Sequence, residues 1–329
     1  MSEQFAKPAL EAAAELVRAV IPPTPQIVWP LLSARVGAET WVKHENHTPI
    51  GAFKVRGGVF HLSKLRRERP ELAGVITATR GNHGQSVAFA ARRVGLTATI
   101  VVPHGNSVEK NAAMRAFGAR LIEAGHDFQS AYEHAQDLAR EQKLHFVDSF
   151  GFDLVLGVSS YALELFAAAG ALDRVYVPIG LGSGICGVIA ARDALGLKTE
   201  IVGVVSERAA AYALSFAAGR AIATDSADTF ADGVACRMTH PLALPIILKG
   251  AARVVTVSEE EIKAAMRAYF TDTHNVVEGA GAASLAAALN EAAWNAGQRI
   301  ALVVSGGNVE RAPYVDILAG DEPAERMRA

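Results

Sequence analysis

The sequence predicts an α/β fold that contains two sheets of parallel strands. Short runs rich in β-branched residues alternate with helical stretches of about 10–15 residues, which is the pattern of consecutive βαβ units. The strand at 74–79 runs into a helix at 81–95, and the same alternation resumes at 174–180. The chain has 329 residues, of which 50% are hydrophobic, so it can bury a large core.

The elements follow one another in two stretches. In the first, strands at 74–79, 97–103 and 120–125 alternate with helices at 81–95, 107–119 and 131–143. In the second, strands at 174–180, 200–205, 253–258 and 299–307 are separated by helices, one of which begins at Gly184. Because no linker rich in proline or glycine separates the stretches, we expect a small domain at 53–150 to be inserted into a large one formed by 1–52 and 151–329. The residues after about 310 are expected to form a surface tail, with no regulatory domain.

Composition and charge exclude several classes of function. The 32 basic and 34 acidic residues give a net charge of −2 with no cluster of either sign, which argues against nucleic-acid binding. Two cysteines, Cys186 and Cys236, are too few for a disulfide framework or a four-ligand zinc site. The N-terminus lacks a signal-peptide pattern, and no apolar run reaches the roughly 18 residues of a membrane span. We therefore expect a cytoplasmic protein that does not enter a membrane.

The segment HENHTPIGAFKVRGG at 44–58 places Lys54 near the start of a helix. A lysine in this position is in most proteins a solvated side chain. Here Phe53 and the paired glycines Gly57 and Gly58 indicate a close-packed, apolar setting. Such a pocket lowers the pKa of a lysine, which lets the neutral amine form an imine or act as a base.

Three further segments are glycine-containing turns at the ends of strands. TATRGNHGQS at 77–86 enters a helix through Gly81, and the N–H groups at such a helix start can bind a carboxylate. PIGLGSGICG at 178–187 exposes several N–H groups, which suits one phosphate group. VVSGGN at 303–308 ends a strand in Ser305, whose hydroxyl can hydrogen-bond a heteroaromatic nitrogen. Each segment taken alone is equally compatible with an ordinary turn.

The loop at 178–187 also contains G-x-G-x-G, a spacing found in dinucleotide-binding folds. In those folds the glycines usually lie at the first βα turn, and an acidic residue follows about 20 residues later. Here the loop lies in the middle of the chain, and the next strand ends in Val204, Val205 and Ser206. A monophosphate is therefore favoured over a nicotinamide dinucleotide.

Together the four segments resemble the fold-type II pyridoxal-phosphate (PLP) enzymes, and within them the serine/threonine dehydratase and serine racemase group. The resemblance covers about residues 20–308, with the motifs in the order and spacing of that family. It implies two parallel-sheet α/β domains, related to the tryptophan synthase β fold, with the cofactor between them. It also implies PLP as the cofactor and a small amino acid as the substrate.

The resemblance implies a role for each matching residue. Lys54 is similar to the imine-forming base, Phe53 to the residue beside the cofactor ring, and Asn82 to the asparagine that binds the ring's 3′-oxygen. Ser305 is similar to the partner of the ring nitrogen; a neutral partner favours elimination over transamination. The phosphate loop would be Gly180, Leu181, Gly182, Ser183 and Gly184, with Gly233 of the ADGV stretch also in the cofactor pocket. The substrate carboxylate would lie against Thr79, Arg80, Gly81, Asn82 and His83.

Arg80 departs from the family pattern. Racemase-type relatives have serine at this position as a second proton donor and acceptor, whereas diaminopropionate-cleaving relatives have aspartate. An arginine keeps its proton in a protein and is a poor base, which favours one-base elimination by Lys54 over racemisation. Its guanidinium can instead bind a carboxylate in a bidentate manner, or form a structural ion pair with a neighbouring acid.

A second departure concerns metal binding. Racemase-type relatives bind a divalent cation through a carboxylate in a GVEP stretch and another six residues later. Val205 and Ala211 occupy those two positions here, and Glu207 is out of register. We therefore expect no divalent metal site at this stretch.

The sequence thus predicts a PLP-dependent dehydratase (ammonia-lyase) that converts a small β-hydroxy amino acid, similar to threonine or serine, into a 2-oxo acid and ammonia. Three alternatives stay open: an amino-acid racemase of the same fold, a dehydratase of hydroxyaspartate or another substituted serine, and a non-catalytic PLP-binding protein. A nicotinamide-dependent oxidoreductase would depend on the glycine loop alone. The assembly state is also open, and a homodimer is compatible with the sequence.

Overall fold

In a computed structural model that describes residues 3–320, the chain folds around two separate sheets. The strands of the described part are β1 (Gln26–Val28), β2 (Glu39–His44), β3 (Gly74–Ala78), β4 (Thr97–Val102), β5 (Arg120–Glu123), β6 (His145–Phe146), β7 (Arg174–Pro178), β8 (Glu200–Ser206), β9 (Arg253–Val257) and β10 (Arg299–Val304). The larger sheet has the order β1-β2-β10-β7-β8-β9 and the smaller one the order β5-β4-β3-β6. All neighbouring strands are parallel except β1 and β2, which confirms the predicted α/β class.

Helices cover both sheets. They are α1 (Lys7–Arg18), α2 (Pro30–Val36), α3 (Lys54–Glu68), α4 (Asn82–Arg93), α5 (Val108–Ala116), α6 (Phe128–Glu141), α7 (Phe152–Ala169), α8 (Ser183–Ala194), α9 (Ala211–Ala218), α10 (Leu244–Gly250), α11 (Glu259–Thr273), α12 (Gly279–Asn290), α13 (Ala292–Asn295) and α14 (Arg311–Ala319). Local sequence explains several boundaries. Asp127 and Ser258 form capping boxes at the starts of α6 and α11, and Gly37 ends α2 in the left-handed conformation.

The strands in the middle of each sheet are buried on both faces. Every residue of β3 and β7 is buried, as expected for parallel strands covered by helices on two sides. Val175 and Val177 of β7 pack with α7 and α8 on one face, whereas Tyr176 between them packs with α11 and α12 on the other. The four-stranded sheet lies in a part of the chain that we call the small lobe (54–146), and the rest is the large lobe. The domain boundaries at residues 53 and 150 stay a prediction.

Two helices differ from the sequence-based expectation. The residues after 310 were expected to form a surface tail, but α14 places Tyr314 and Ile317 in the core beside α11; residues 321–329 lie outside the described part. Helix α7 has 18 residues and is long and apolar enough to cross a membrane, contrary to the expectation that no such run exists. However, 67% of it is buried inside the protein, where it packs against α1, α3 and α8.

Candidate active site

The predicted site residues lie where strands of both sheets end. Carboxyl ends of parallel strands are the usual place for ligands in α/β folds, because the following loops and helix starts converge there. The loop at 79–81 follows β3, the glycine loop follows β7, and Ser305 follows β10. The fold therefore brings segments separated by more than two hundred positions to one region between the lobes.

Lys54 is the first residue of α3, and its side chain extends toward the start of α8. Its Nζ donates a hydrogen bond to Ser183 Oγ at 3.4 Å and lies 5.4 Å from the centre of the Phe53 ring. The protein atoms that replace water around the ammonium lower the pKa of Lys54 to about 8. A neutral amine is therefore accessible near physiological pH, as a nucleophile or general base requires.

Close helix packing fixes the position of Lys54. Ser86 Oγ donates a hydrogen bond to the carbonyl oxygen of Lys54 at 2.7 Å. A Cβ atom at Gly58 would lie 2.2 Å from Ser86 Oγ, and one at Gly57 would lie 2.9 Å from the carbonyl oxygen of Leu154. The paired glycines thus let α3 approach α4 and α7 closely.

Arg56, two residues after Lys54 on the same helix, is the centre of a network of buried charges. Arg56 donates to Glu45 Oε2 at 2.7 Å and to Glu164 Oε1 at 2.8 Å, and Lys43 donates to Glu164 Oε2 at 2.6 Å. The two cations and two carboxylates balance, which matters because an unpaired buried charge is costly. Sequence reasoning missed this network, because Glu164 lies 108 positions from Arg56 in a helix without a motif.

The glycine loop presents backbone N–H groups at the start of α8. Gly182 caps this helix with a φ of 104°, a conformation that favours glycine. A Cβ atom at Gly180 would lie 2.3 Å from the carbonyl oxygen of Gly233, so the loop is in tight contact with the Asp232–Val234 turn. The free N–H groups and the positive end of the helix dipole make this loop fit a phosphate group.

The loop after β3 is organised by its own side chains. Thr79 Oγ1 accepts hydrogen bonds from the backbone N–H groups of Gly81, at 3.0 Å, and Gly84, at 3.4 Å. His83 is buried, and burial together with the nearby charge of Lys54 lowers its pKa to about 3. His83 is therefore a neutral, structural side chain near pH 7 and does not act as a base there.

Asn82 is held by two residues of the large lobe that sequence reasoning did not assign. Its amide nitrogen donates to Glu278 Oε1 at 2.9 Å, and its carbonyl oxygen accepts from Asn308 Nδ2 at 2.7 Å. The amide nitrogen also donates to Glu278 Oε2 at 3.3 Å, so both oxygens of this carboxylate contact Asn82. Burial and the negative charge of Asp232 raise the pKa of Glu278 to about 7. Asn308 ends the SGGN segment, which was its only sequence signal.

Ser305 and the glycine after it pair with the two residues that precede Lys54 in the chain. The carbonyl oxygen of Ser305 accepts a hydrogen bond from Phe53 N at 3.0 Å, and Gly306 pairs with Ala52. Within residues 3–320 the Ser305 hydroxyl has no hydrogen-bond partner, although the residue is only 6% exposed. The hydroxyl is thus free to bind a polar atom of a ligand.

Arg80 is exposed, and no residue of the described chain forms an ion pair with it. The structural ion pair considered from the sequence is therefore absent from residues 3–320. Arg80 lines an open interdomain cleft of about 370 Å³. Other residues that line this cleft are His104, Lys110, Asp232, Glu278 and Asn308.

Comparison with known proteins identifies the chain. A family model described as pyridoxal-phosphate dependent enzyme matches residues 17–306. The chain belongs to this family. It is 35% identical over 284 residues to an L-threonine ammonia-lyase of Thermotoga maritima, an alignment that covers 85% of this chain and 70% of the relative. It is 32% identical over 309 residues to an L-threo-3-hydroxyaspartate ammonia-lyase of Pseudomonas, which covers 94% of this chain and 97% of the relative.

A solved structure gives the same result at the level of the fold. The processed form of threonine deaminase isoform 2 from Solanum lycopersicum superimposes with a TM-score of 0.90 at 29% identity, covering 98% of this chain and 95% of that one. The predicted fold, cofactor and enzyme class are confirmed. The chain is a PLP-dependent ammonia-lyase of the dehydratase type.

Proposed function

We propose that this PLP-dependent enzyme removes water from a small β-hydroxy α-amino acid and releases a 2-oxo acid and ammonia through the single base Lys54. The observation that carries the proposal is the position of Lys54, whose Nζ donates a hydrogen bond to Ser183 of the phosphate loop, at the start of α8. The names of relatives assign this reaction type to threonine and to L-threo-3-hydroxyaspartate.

The residues of the site fit the cofactor. The N–H groups of the loop from Gly180 to Gly184 would hold its phosphate, and the free hydroxyl of Ser305 would bind its ring nitrogen. The amide of Asn82 would bind its 3′-oxygen, and Phe53 would pack beside its ring. When bound, PLP supplies a carbonyl that captures the substrate amine and a ring that stabilises negative charge at Cα.

The chain's own groups then move the protons. The backbone N–H groups of Arg80, Asn82 and His83 hold the substrate carboxylate beside the start of α4. Those of Thr79 and Gly81 are already used, since they donate to the Val101 carbonyl oxygen and to Thr79 Oγ1. Lys54 Nζ takes the proton from Cα, and the bond between Cβ and the hydroxyl oxygen breaks. Lys54, hydrogen-bonded to Ser183, returns that proton to the departing hydroxyl, so that water leaves. The released enamine tautomerises and is hydrolysed to the 2-oxo acid and ammonia.

Racemisation would require a second base on the face of the substrate opposite Lys54. Position 80, where the resemblance places such a base, holds an arginine that keeps its proton. The test is to incubate the enzyme with L-serine, L-threonine and 3-hydroxyaspartate isomers while measuring 2-oxo acid formation and the enantiomers of the remaining substrate. Formation of the opposite enantiomer faster than the 2-oxo acid would overturn the proposal. The cytoplasmic location, the homodimer and the independence from a divalent metal stay predictions.

A further inference from the structure

Arg80 contributes an uncompensated positive charge to the interdomain cleft. The other charged groups that line this cleft already have partners within residues 3–320. Lys110 forms an ion pair with Asp232, and Glu310 Oε1 accepts a hydrogen bond from Ser107 at 2.7 Å. The Glu278 carboxylate accepts from Asn82, and its raised pKa leaves it partly protonated near pH 7. Among these groups, Arg80 alone has no side-chain partner in the described part of the chain, so its whole guanidinium can bind a ligand.

The position of Arg80 in the chain links this charge to the substrate. It lies between Thr79 and Gly81, within the loop whose N–H groups are proposed to hold the α-carboxylate. Lys110 packs over the same loop, since a Cβ atom at Gly81 would lie 2.8 Å from Lys110 Cδ. A substrate bound to this loop would therefore have Arg80 beside it, at the edge of the open cleft.

The chemistry of arginine selects the kind of group that binds there. The planar guanidinium offers paired N–H donors that match the two oxygens of a carboxylate, and this pairing is stronger than a hydrogen bond between neutral groups. The serine side chain offers only a hydroxyl group, and that of threonine a hydroxyl and a methyl group, none of which carries a charge for the guanidinium to pair with. The free charge is thus matched to a substrate that carries a second carboxylate.

We propose that Arg80 binds the distal carboxylate of a β-hydroxy dicarboxylic amino acid, so that 3-hydroxyaspartate is a better substrate than serine or threonine. This inference rests on the proposed dehydratase function and adds the substrate class. It also differs from a role of Arg80 in binding the α-carboxylate, because that group is common to all the candidate substrates.

The test compares the wild-type holoenzyme with R80A, R80K and the control variant R18A, which removes an exposed arginine from the end of α1. Each is assayed for 2-oxo acid formation from 3-hydroxyaspartate isomers, serine and threonine. For R80A we expect kcat/KM on the preferred hydroxyaspartate isomer to fall roughly 10- to 100-fold, the effect of one lost charge-assisted hydrogen bond. The values for serine and threonine should change less than about threefold, R80K should retain part of the selectivity, and R18A should match the wild type.

Competitive inhibition provides a second readout, which reports binding to the site and not the rate of elimination from the inhibitor. L-Aspartate and L-alanine differ by the distal carboxylate, so R80A should weaken inhibition by L-aspartate and leave that by L-alanine nearly unchanged. An equal loss for all substrates and both inhibitors would place Arg80 on the α-carboxylate and overturn the inference. The inference would also be overturned if the wild-type enzyme prefers serine or threonine and R80A shows no selective loss on hydroxyaspartate. The proposed dehydratase function would stand in that case. If no substrate gives a 2-oxo acid, the proposed function itself fails.

Discussion

A methyl group at Gly180 should weaken PLP binding strongly, whereas one at Gly184 should not. A Cβ atom at position 180 would lie 2.3 Å from the backbone carbonyl oxygen of Gly233, well under the 3.0 Å below which real Cβ atoms are essentially never found. Neither partner is a flexible side chain, so the two backbones must separate by roughly 0.7 Å. At position 184 the nearest atoms are Phe53 Cζ and Tyr161 OH, both at 3.6 Å, which is ordinary van der Waals contact.

The size of the effect follows from how the loop would hold a phosphate. Backbone N–H groups bind it, and a shift of that size misaligns at least one charge-assisted hydrogen bond, worth about 1.5–3 kcal/mol. The dissociation constant for PLP should therefore rise roughly 10- to 150-fold in G180A. In G184A it should stay within about threefold of the wild type.

The assay is a titration of the apoenzyme with PLP, followed by the visible absorbance of the bound cofactor. Thermal unfolding of each apoenzyme serves as the control for global damage. The reasoning is refuted if G180A binds PLP as tightly as the wild type, or if G184A weakens binding as much as G180A.

Three further predictions concern the charges around the site. Capture of PLP by the apoenzyme should accelerate with pH up to about 8 and then level off, because only the neutral amine of Lys54 reacts; stopped-flow absorbance measures this rate. Glu278 keeps its proton up to a pKa of about 7 in the folded protein, whereas the unfolded chain releases it near pH 4.5, so the free energy of unfolding falls as pH rises from 4.5 to 7. This loss is up to about 3 kcal/mol in the wild type. It should be absent in E278Q, whose melting temperature should therefore fall less than that of the wild type over the same pH range. R56M should destabilise the protein by about 3–5 kcal/mol, because the buried Glu45 carboxylate would have no ion-pair partner in the described chain and Glu164 would keep only Lys43. R67A on the exposed face of the same helix should be nearly neutral in denaturant unfolding.

Features encoded by consecutive residues could be predicted from the sequence. The alternation of short apolar runs with amphipathic stretches determines the α/β class, because strand and helix periodicities are local properties. The glycine loop at 178–187 and the Lys54 segment are also local, but only the four segments together resembled a family and so indicated a cofactor. A run of backbone N–H groups at a helix start is present wherever such a loop forms, so its suitability for a phosphate needs no distant partner.

Pairings between distant residues were decided only by the tertiary structure. Asn82 contacts Glu278 across 196 positions, and nothing in the short segment around either residue specifies the other. Helix α14 looked like a polar tail because its two buried residues, Tyr314 and Ile317, acquire their burial from α11. For Arg80 the sequence left an ion pair and a substrate contact open. Only the folded chain could show which acids lie within reach of the guanidinium, because that depends on how the two lobes are placed around the cleft.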